Sequence, residues 1–291
     1  MKLSASTLGC LKWDLPTILA RLREYGFDGI DFRGLGNELK LWLLPEFATM
    51  VADTAARIHD HGLAVSCISS GVLLTDTRPG NLAAGDEEIA RTAEICAALG
   101  CSQIRVFGGS LNLADGATEA DRPRLVNLAA ERATALAERA RAIAPVDLLI
   151  ETHDAWTSSA HMAAVLERVN RDDVACCWDV KHTYWTGHEV PEVTWQRLGR
   201  WVRNTHWKDG RRCLDGKERF GRDVRDSGLL CTMGEGVIPL ADCQELLATV
   251  GYDGWHTLEW EKRWHPHIEE PEVAFPQFVR YLRNLEERLA Q

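Results

Sequence analysis

Short apolar runs alternate with longer amphipathic stretches along the whole chain. Two runs, VDLLIE (146–151) and VACCWD (174–179), are nearly unbroken, as expected of strands covered on both faces in a parallel sheet. Six more strand-like runs complete the series: KLSAST (2–7), GIDFR (29–33), AVSCIS (64–69), SQIRVFGG (102–109), VRNTHW (202–207) and the more mixed WHTLEW (255–260). A helical stretch follows each of them. The first opens at Asp14-Leu15-Pro16, a cap followed by proline, and runs to Tyr25. The next are 45–61 with Gly62 as its stop, 86–99 closed by Gly100, and the Ala/Arg/Glu-rich 119–143. The pattern then predicts helices over 158–169, 191–199, 240–250 and 271–289.

Eight strand–helix units are the number that a (βα)8 TIM barrel requires. Such a barrel takes about 250 residues, so the 291 residues fit one domain spanning 1–291. Alternation along a strand then makes Leu149/Glu151, Cys177/Asp179, Asn204/His206 and Thr257/Glu259 inward-facing pairs.

Composition narrows the function classes. The net charge of −10 argues against a nucleic-acid partner, because phosphate contacts need a basic face. No stretch approaches the roughly 20 apolar residues that span a bilayer, and the N-terminal MKLSASTLGCLKWD reads as a first strand rather than a secretory leader. The nine cysteines are scattered without a CxxC pair, the usage of buried small residues in a reducing compartment, so a cytoplasmic protein is expected. Exposed barrel ends leave homo-oligomers open.

Candidate chemistry sits at strand ends. Glu151, Asp179, His206 and Glu259 each end a predicted strand, and a barrel gathers such ends at one rim. Three carboxylates and one imidazole form a hard, mostly oxygen set suited to Mn²⁺, Mg²⁺ or Co²⁺ in preference to structural Zn²⁺. Each residue alone has an ordinary explanation. Glu151 fits a charged strand boundary, Asp179 a helix cap with His182 three residues on, and His206 a satisfied core histidine. Lys208, on the same parity as His206, is an expensive cation to bury without a role. Glu259 and Glu261 share one face, and Glu259 is the deeper candidate.

The series LLIETHD, CCWDVKH, NTHWKD, GEG and LEWE resembles the sugar isomerase/epimerase superfamily of xylose-isomerase-like TIM barrels, over essentially the whole chain and most specifically from Glu151 onward. The resemblance implies one divalent ion held by Glu151, Asp179, His206 and Glu259, with the two glutamates flanking the substrate and moving a proton. It implies that His182 touches substrate oxygens and that Arg212 helps to hold the substrate. The implied substrate is a small carbohydrate or polyol. Proton removal next to a carbonyl and its return to the other face or the neighbouring carbon gives epimerisation or isomerisation. Loss of a β-hydroxyl from the same intermediate makes the chain a dehydratase of a keto-inositol or dehydroshikimate-like acid. The apurinic endonuclease of this fold needs further histidines where this chain has DFRG, CISS and VFGG, and it falls well behind. A sugar-binding barrel without turnover stays as the non-catalytic alternative.

Softer signals remain. Of eleven tryptophans, Trp156, Trp178, Trp185, Trp207, Trp260 and Trp264 lie near strand ends, where rings either stack on sugars or pack the rim. Of these, Trp185 is the candidate substrate contact. Gly234-Glu235-Gly236 offers backbone N–H groups to an anion or is simply a turn. The stretch 209–233 is long and charged, as a lid or a solvated excursion would be, and Arg33 and Arg105 end the second and fourth strands within reach of the rim.

Overall fold

The repeating units close on themselves. The computed structural model describes residues 1–110, 118–211 and 229–289. The strands are β1 (Lys2–Ser6), β2 (Gly29–Phe32), β3 (Ala64–Leu73), β4 (Gln103–Phe107), β5 (Asp147–Glu151), β6 (Val174–Asp179), β7 (Val202–Trp207), β8 (Asp209–Arg211), β9 (Leu229–Cys231) and β10 (Trp255–Leu258). Eight of them form a closed barrel in the order β1-β10-β7-β6-β5-β4-β3-β2. Every pair in the barrel is parallel. Beyond the end of β7, β8 and β9 pair as a separate antiparallel ribbon, with Asp209 opposite Cys231.

Local signals place most helices. The Asp14 carboxylate accepts from the Thr17 N–H at 3.0 Å, and Gly26 at φ 90° ends the helix Leu15–Tyr25. Such a cap contributes about 1 kcal/mol. The expected helix over 45–61 is two, Pro45–Ala48 and Val51–Asp60. Its break has a hydrogen-bond cause. The Met50 N–H reaches the Pro45 carbonyl at 2.8 Å, and Thr54 Oγ1 takes the Glu46 carbonyl at 2.7 Å. The helix expected from 86 starts earlier, as Pro79–Leu99, with proline in its first turn. A short helix, Val180–Trp185, follows β6 directly and is too brief to leave a periodic pattern.

Strand parity divides the apolar residues into two groups. Leu148, Ile150, Cys176 and Trp178 face outward into the main core between strands and helices. Leu149, Ala175 and Cys177 form a small cluster of their own inside the barrel. Trp156, Trp178, Trp207 and Trp260 are 0–1% exposed. Each ring removes on the order of 200 Å² from water, an upper estimate of about 5 kcal/mol. Packing is therefore their work, and of the six rim tryptophans only Trp185 and Trp264 keep exposed surface.

Candidate metal centre

Neighbouring strand ends bring the ligand-type residues together. In the β6–β7 register Asp179 lies opposite His206, and in the β7–β10 register His206 lies opposite Thr257, two residues before Glu259. Glu151 closes β5 and pairs with Cys177 of β6. The result is a buried set, Glu151, Asp179, His206 and Glu259, whose ligand atoms all lie within 4.8 Å of one another. His206 Nδ1 is 3.4 Å from Glu151 Oε1 and 3.5 Å from Glu259 Oε1. Both oxygens of Glu151, Oδ2 of Asp179 and both ring nitrogens of His206 have no hydrogen-bond partner among the described residues. Unpartnered buried polar atoms are costly unless a ligand takes them. Two carboxylates and an imidazole in that state, with the Glu259 carboxylate beside them, fit a hard divalent ion.

Two buried cations flank the set. Arg105 Nε lies 3.0 Å from Glu151 Oε2, while its Nη1 donates to the Ser70 carbonyl at 2.7 Å and its guanidinium stacks over Phe107 at 3.9 Å. Arg105 is fully buried and buttresses Glu151. Lys208 Nζ lies 2.9 Å from Asp179 Oδ2, donates to Glu261 Oε1 at 2.5 Å and also donates to Glu259 Oε2.

These neighbours set the charges. Burial and the Glu259 charge push Glu151 up, but His206 and Arg105 outweigh them and hold it below the usual carboxylate range. Burial also opposes ionisation of Glu259, yet Lys208 and His206 keep it well below that range. At Asp179 burial wins over Lys208 and raises the carboxyl. Burial and the Lys208 charge hold His182 well below the ordinary imidazole value, so it stays neutral.

The family model described as "xylose isomerase-like TIM barrel" matches residues 19–285. The chain belongs to this family. No curated protein matches the sequence. Among solved structures it is similar to the probable 3-DHS dehydratase AsbF from Bacillus anthracis, with TM-score 0.75 and 18% identity over 97% of this chain and 99% of that one. It is also similar to the 3-keto-D-glucoside 4-epimerase YcjR from E. coli, with TM-score 0.74 and 16% identity over 98% and 99%. A third likeness is the IOLI protein with a binding zinc atom, TM-score 0.74 and 16% identity over 99% and 98%. At these identities the likeness carries the fold of the xylose isomerase-like barrel and nothing finer.

The other expected residues of this family member divide. His182 stands beside the centre, its backbone N–H bonded to Asp179 Oδ1 at 2.8 Å and its Nδ1 3.2 Å from the Thr152 carbonyl. Asp179 is thus a helix cap and a member of the cluster at once. Trp185 stands further out, its ring 5.9 Å from Lys181 Nζ. Arg212 lies outside the described residues, as does most of the charged stretch after it. No described helix is long and apolar enough to cross a membrane.

Sequence reasoning passed over Asp31 and His153. Asp31 is fully buried, bonded to Ser69 Oγ at 3.1 Å and 3.7 Å from His206 Nε2. A carboxylate behind a ligand histidine fixes the ring's orientation. Its only sequence signal is inward parity on β2. His153 packs edge-on against His182 at 4.7 Å, and Glu151, His153 and His182 form a second group with ligand atoms within 4.8 Å.

The glycine-rich turn has its anion inside the chain. The Asp209 carboxylate accepts from the backbone N–H groups of Gly210, Gly234, Gly236 and Ile238 at 2.8–3.2 Å. A side chain on Gly236 would collide with it, because an ideal Cβ there lies 2.0 Å from Asp209 Oδ1. Asp209→Ala strands the buried donors of Gly210 and Ile238 and frees the more accessible ones of Gly234 and Gly236, and is expected to cost on the order of 3 kcal/mol in urea unfolding. Unchanged stability would show that water replaces the carboxylate.

Proposed function

We propose that this protein is a divalent-metal-dependent isomerase or epimerase of a small keto-sugar or related polyol, with the whole chain, 1–291, acting as one unit. The observation that carries the reading is the convergence of four buried ligand-type side chains, three of which have atoms without a hydrogen-bond partner among the described residues. When bound, a divalent ion supplies the Lewis acidity that stabilises charge developing on the substrate's carbonyl and hydroxyl oxygens. The chain supplies the proton steps. Glu151, held ionised by His206 and Arg105, takes the C–H proton next to the carbonyl. Glu259, one residue past β10, serves the return step, for which it first takes up a proton against the pull of Lys208. Neutral His182 orients substrate oxygens by hydrogen bonding. Burial of all four cluster residues keeps bulk water from the proton in transit.

A second reading, dehydration of a β-hydroxy ketone, draws on one further observation. Glu261 lies between Lys208 and His265 Nε2, the latter at 3.2 Å, so a separate group of ionisable side chains stands beside the cluster to pass a proton to a leaving hydroxyl. Proton NMR in D₂O with Mn²⁺- or Mg²⁺-supplied protein and a panel of ketoses and keto-inositols tests both. Deuterium entering the carbon next to the carbonyl is the expected result, and the product tells epimer, isomer and enone apart. Bound metal with no exchange across the panel would leave a binding protein.

A further inference from the structure

Two residues beyond the cluster, on the same inward parity, the strands present a second ring of side chains toward the mouth. Arg33 follows Asp31 by two residues, Phe107 follows Arg105, His153 follows Glu151, Lys208 follows His206 and Glu261 follows Glu259, all at or just past the strand ends. The other charged or ionisable members each have an oppositely charged side chain close by. Lys208 and Glu261 hold each other, and His153 Nδ1 lies 3.0 Å from Asp154 Oδ1. Arg33 differs. It is only 9% exposed, yet its guanidinium has no hydrogen bond or ion pair among the described residues.

Neither neighbouring carboxylate hydrogen-bonds the guanidinium among the described residues. Glu88 Oε1 accepts from the Gly71 N–H at 2.6 Å, and Asp31 Oδ2 accepts from Ser69. Burial and the like charge of Arg105 lower Arg33 to about 10, against the smaller opposing pull of Glu88, Asp31 and Glu259. Its backbone is nonetheless firmly placed: the Arg33 N–H donates to Thr7 Oγ1 at 3.0 Å, and that hydroxyl donates to the Gly34 carbonyl at 2.6 Å. Beside the guanidinium, Gly71 adds no side chain where a Cβ would lie 3.4 Å from Arg33 Nη2 and 3.6 Å from Glu88 Oε1. A fixed, nearly buried guanidinium without a carboxylate is expensive, and an incoming anion offsets that cost through two parallel hydrogen bonds.

We infer that Arg33 anchors an anionic group of the substrate, a carboxylate or a phosphate ester, making the substrate class a sugar acid or sugar phosphate. The inference rests on reading the barrel mouth as the substrate site. Binding without turnover tests it, by calorimetry of the full chain in Mg²⁺ with D-gluconate, inorganic phosphate and the neutral D-glucitol. One of the two anions is expected to bind at least about tenfold tighter than glucitol, and the one that does identifies carboxylate or phosphate. Arg33→Gln should erase that preference. Arg33→Lys, which keeps the charge and loses the fork, should retain part of it and serves if the glutamine variant does not fold. Lys181→Gln removes an equal charge from β6's side of the barrel and should leave the preference intact. No preference in the native chain, a preference that survives both Arg33 variants, or an equal loss in the Lys181 variant overturns the assignment. The two ideas fail separately. Anion preference without deuterium exchange in any substrate would sink the enolisation reading alone. Exchange of neutral ketoses, with no anion preference, would sink Arg33's role alone.

Discussion

Glu151→Gln is expected to lower substrate-dependent deuterium exchange by roughly 10²–10⁴-fold, the range of a lost general base. The substitution keeps size and one neutral oxygen donor, so three of the four cluster residues, Asp179, His206 and Glu259, remain to bind metal. Metal content per chain should therefore fall far less than exchange does. A stability cost accompanies it, because Arg105 Nε loses the carboxylate 3.0 Å away while remaining fully buried. Removing a buried partner costs up to about 3–5 kcal/mol, less here because Arg105 Nη2 keeps Glu259 Oε1 at 3.8 Å, so exchange must be measured where the variant is folded. If folded, metal-loaded Glu151→Gln exchanged deuterium at the native rate, the base would lie elsewhere, and Glu259→Gln would be the next variant to make.

The barrel and the four-residue cluster were legible because their signals are periodic or additive. Strands of near-continuous apolar residues ending in Glu151 and Asp179, followed by helices with stops such as Gly100, repeat often enough to specify closure. The parity argument that paired Leu149 with Glu151 and Cys177 with Asp179 works because a strand has only two faces. What escaped depends on contacts between distant segments. Nothing around GIDF marks Asp31 as the carboxylate behind His206, since the two meet only across the closed barrel. Gly234-Glu235-Gly236 reads equally as an anion site or a plain turn, and the anion its N–H groups meet is the chain's own Asp209. The rim tryptophans were ambiguous for the same reason: a ring at a strand end is polar-facing or core-facing according to helices that the local sequence does not describe.

Lys208→Met is expected to have the largest effect on stability. Its ammonium is fully buried among Asp179, Glu259 and Glu261, and those three carboxylates raise it well above its ordinary value against the opposing effect of burial. Methionine matches the length of the stem but leaves the carboxylates facing one another without a cation. Breaking a buried ion pair in this way costs about 3–5 kcal/mol, and three carboxylates around one lysine place the variant at the upper end. A divalent ion shared by Asp179 and Glu259 would oppose the same repulsion. Added Mn²⁺ should therefore stabilise the variant by more than the native chain, for which about 2.7 kcal/mol is expected at a metal concentration of a hundred times Kd. Urea unfolding of both proteins, with Mn²⁺ and with chelator, measures the difference. A native-like midpoint for the metal-free variant would mean that the carboxylates protonate at little cost. An equal metal response in both proteins would mean that Lys208 and the ion act on separate charges.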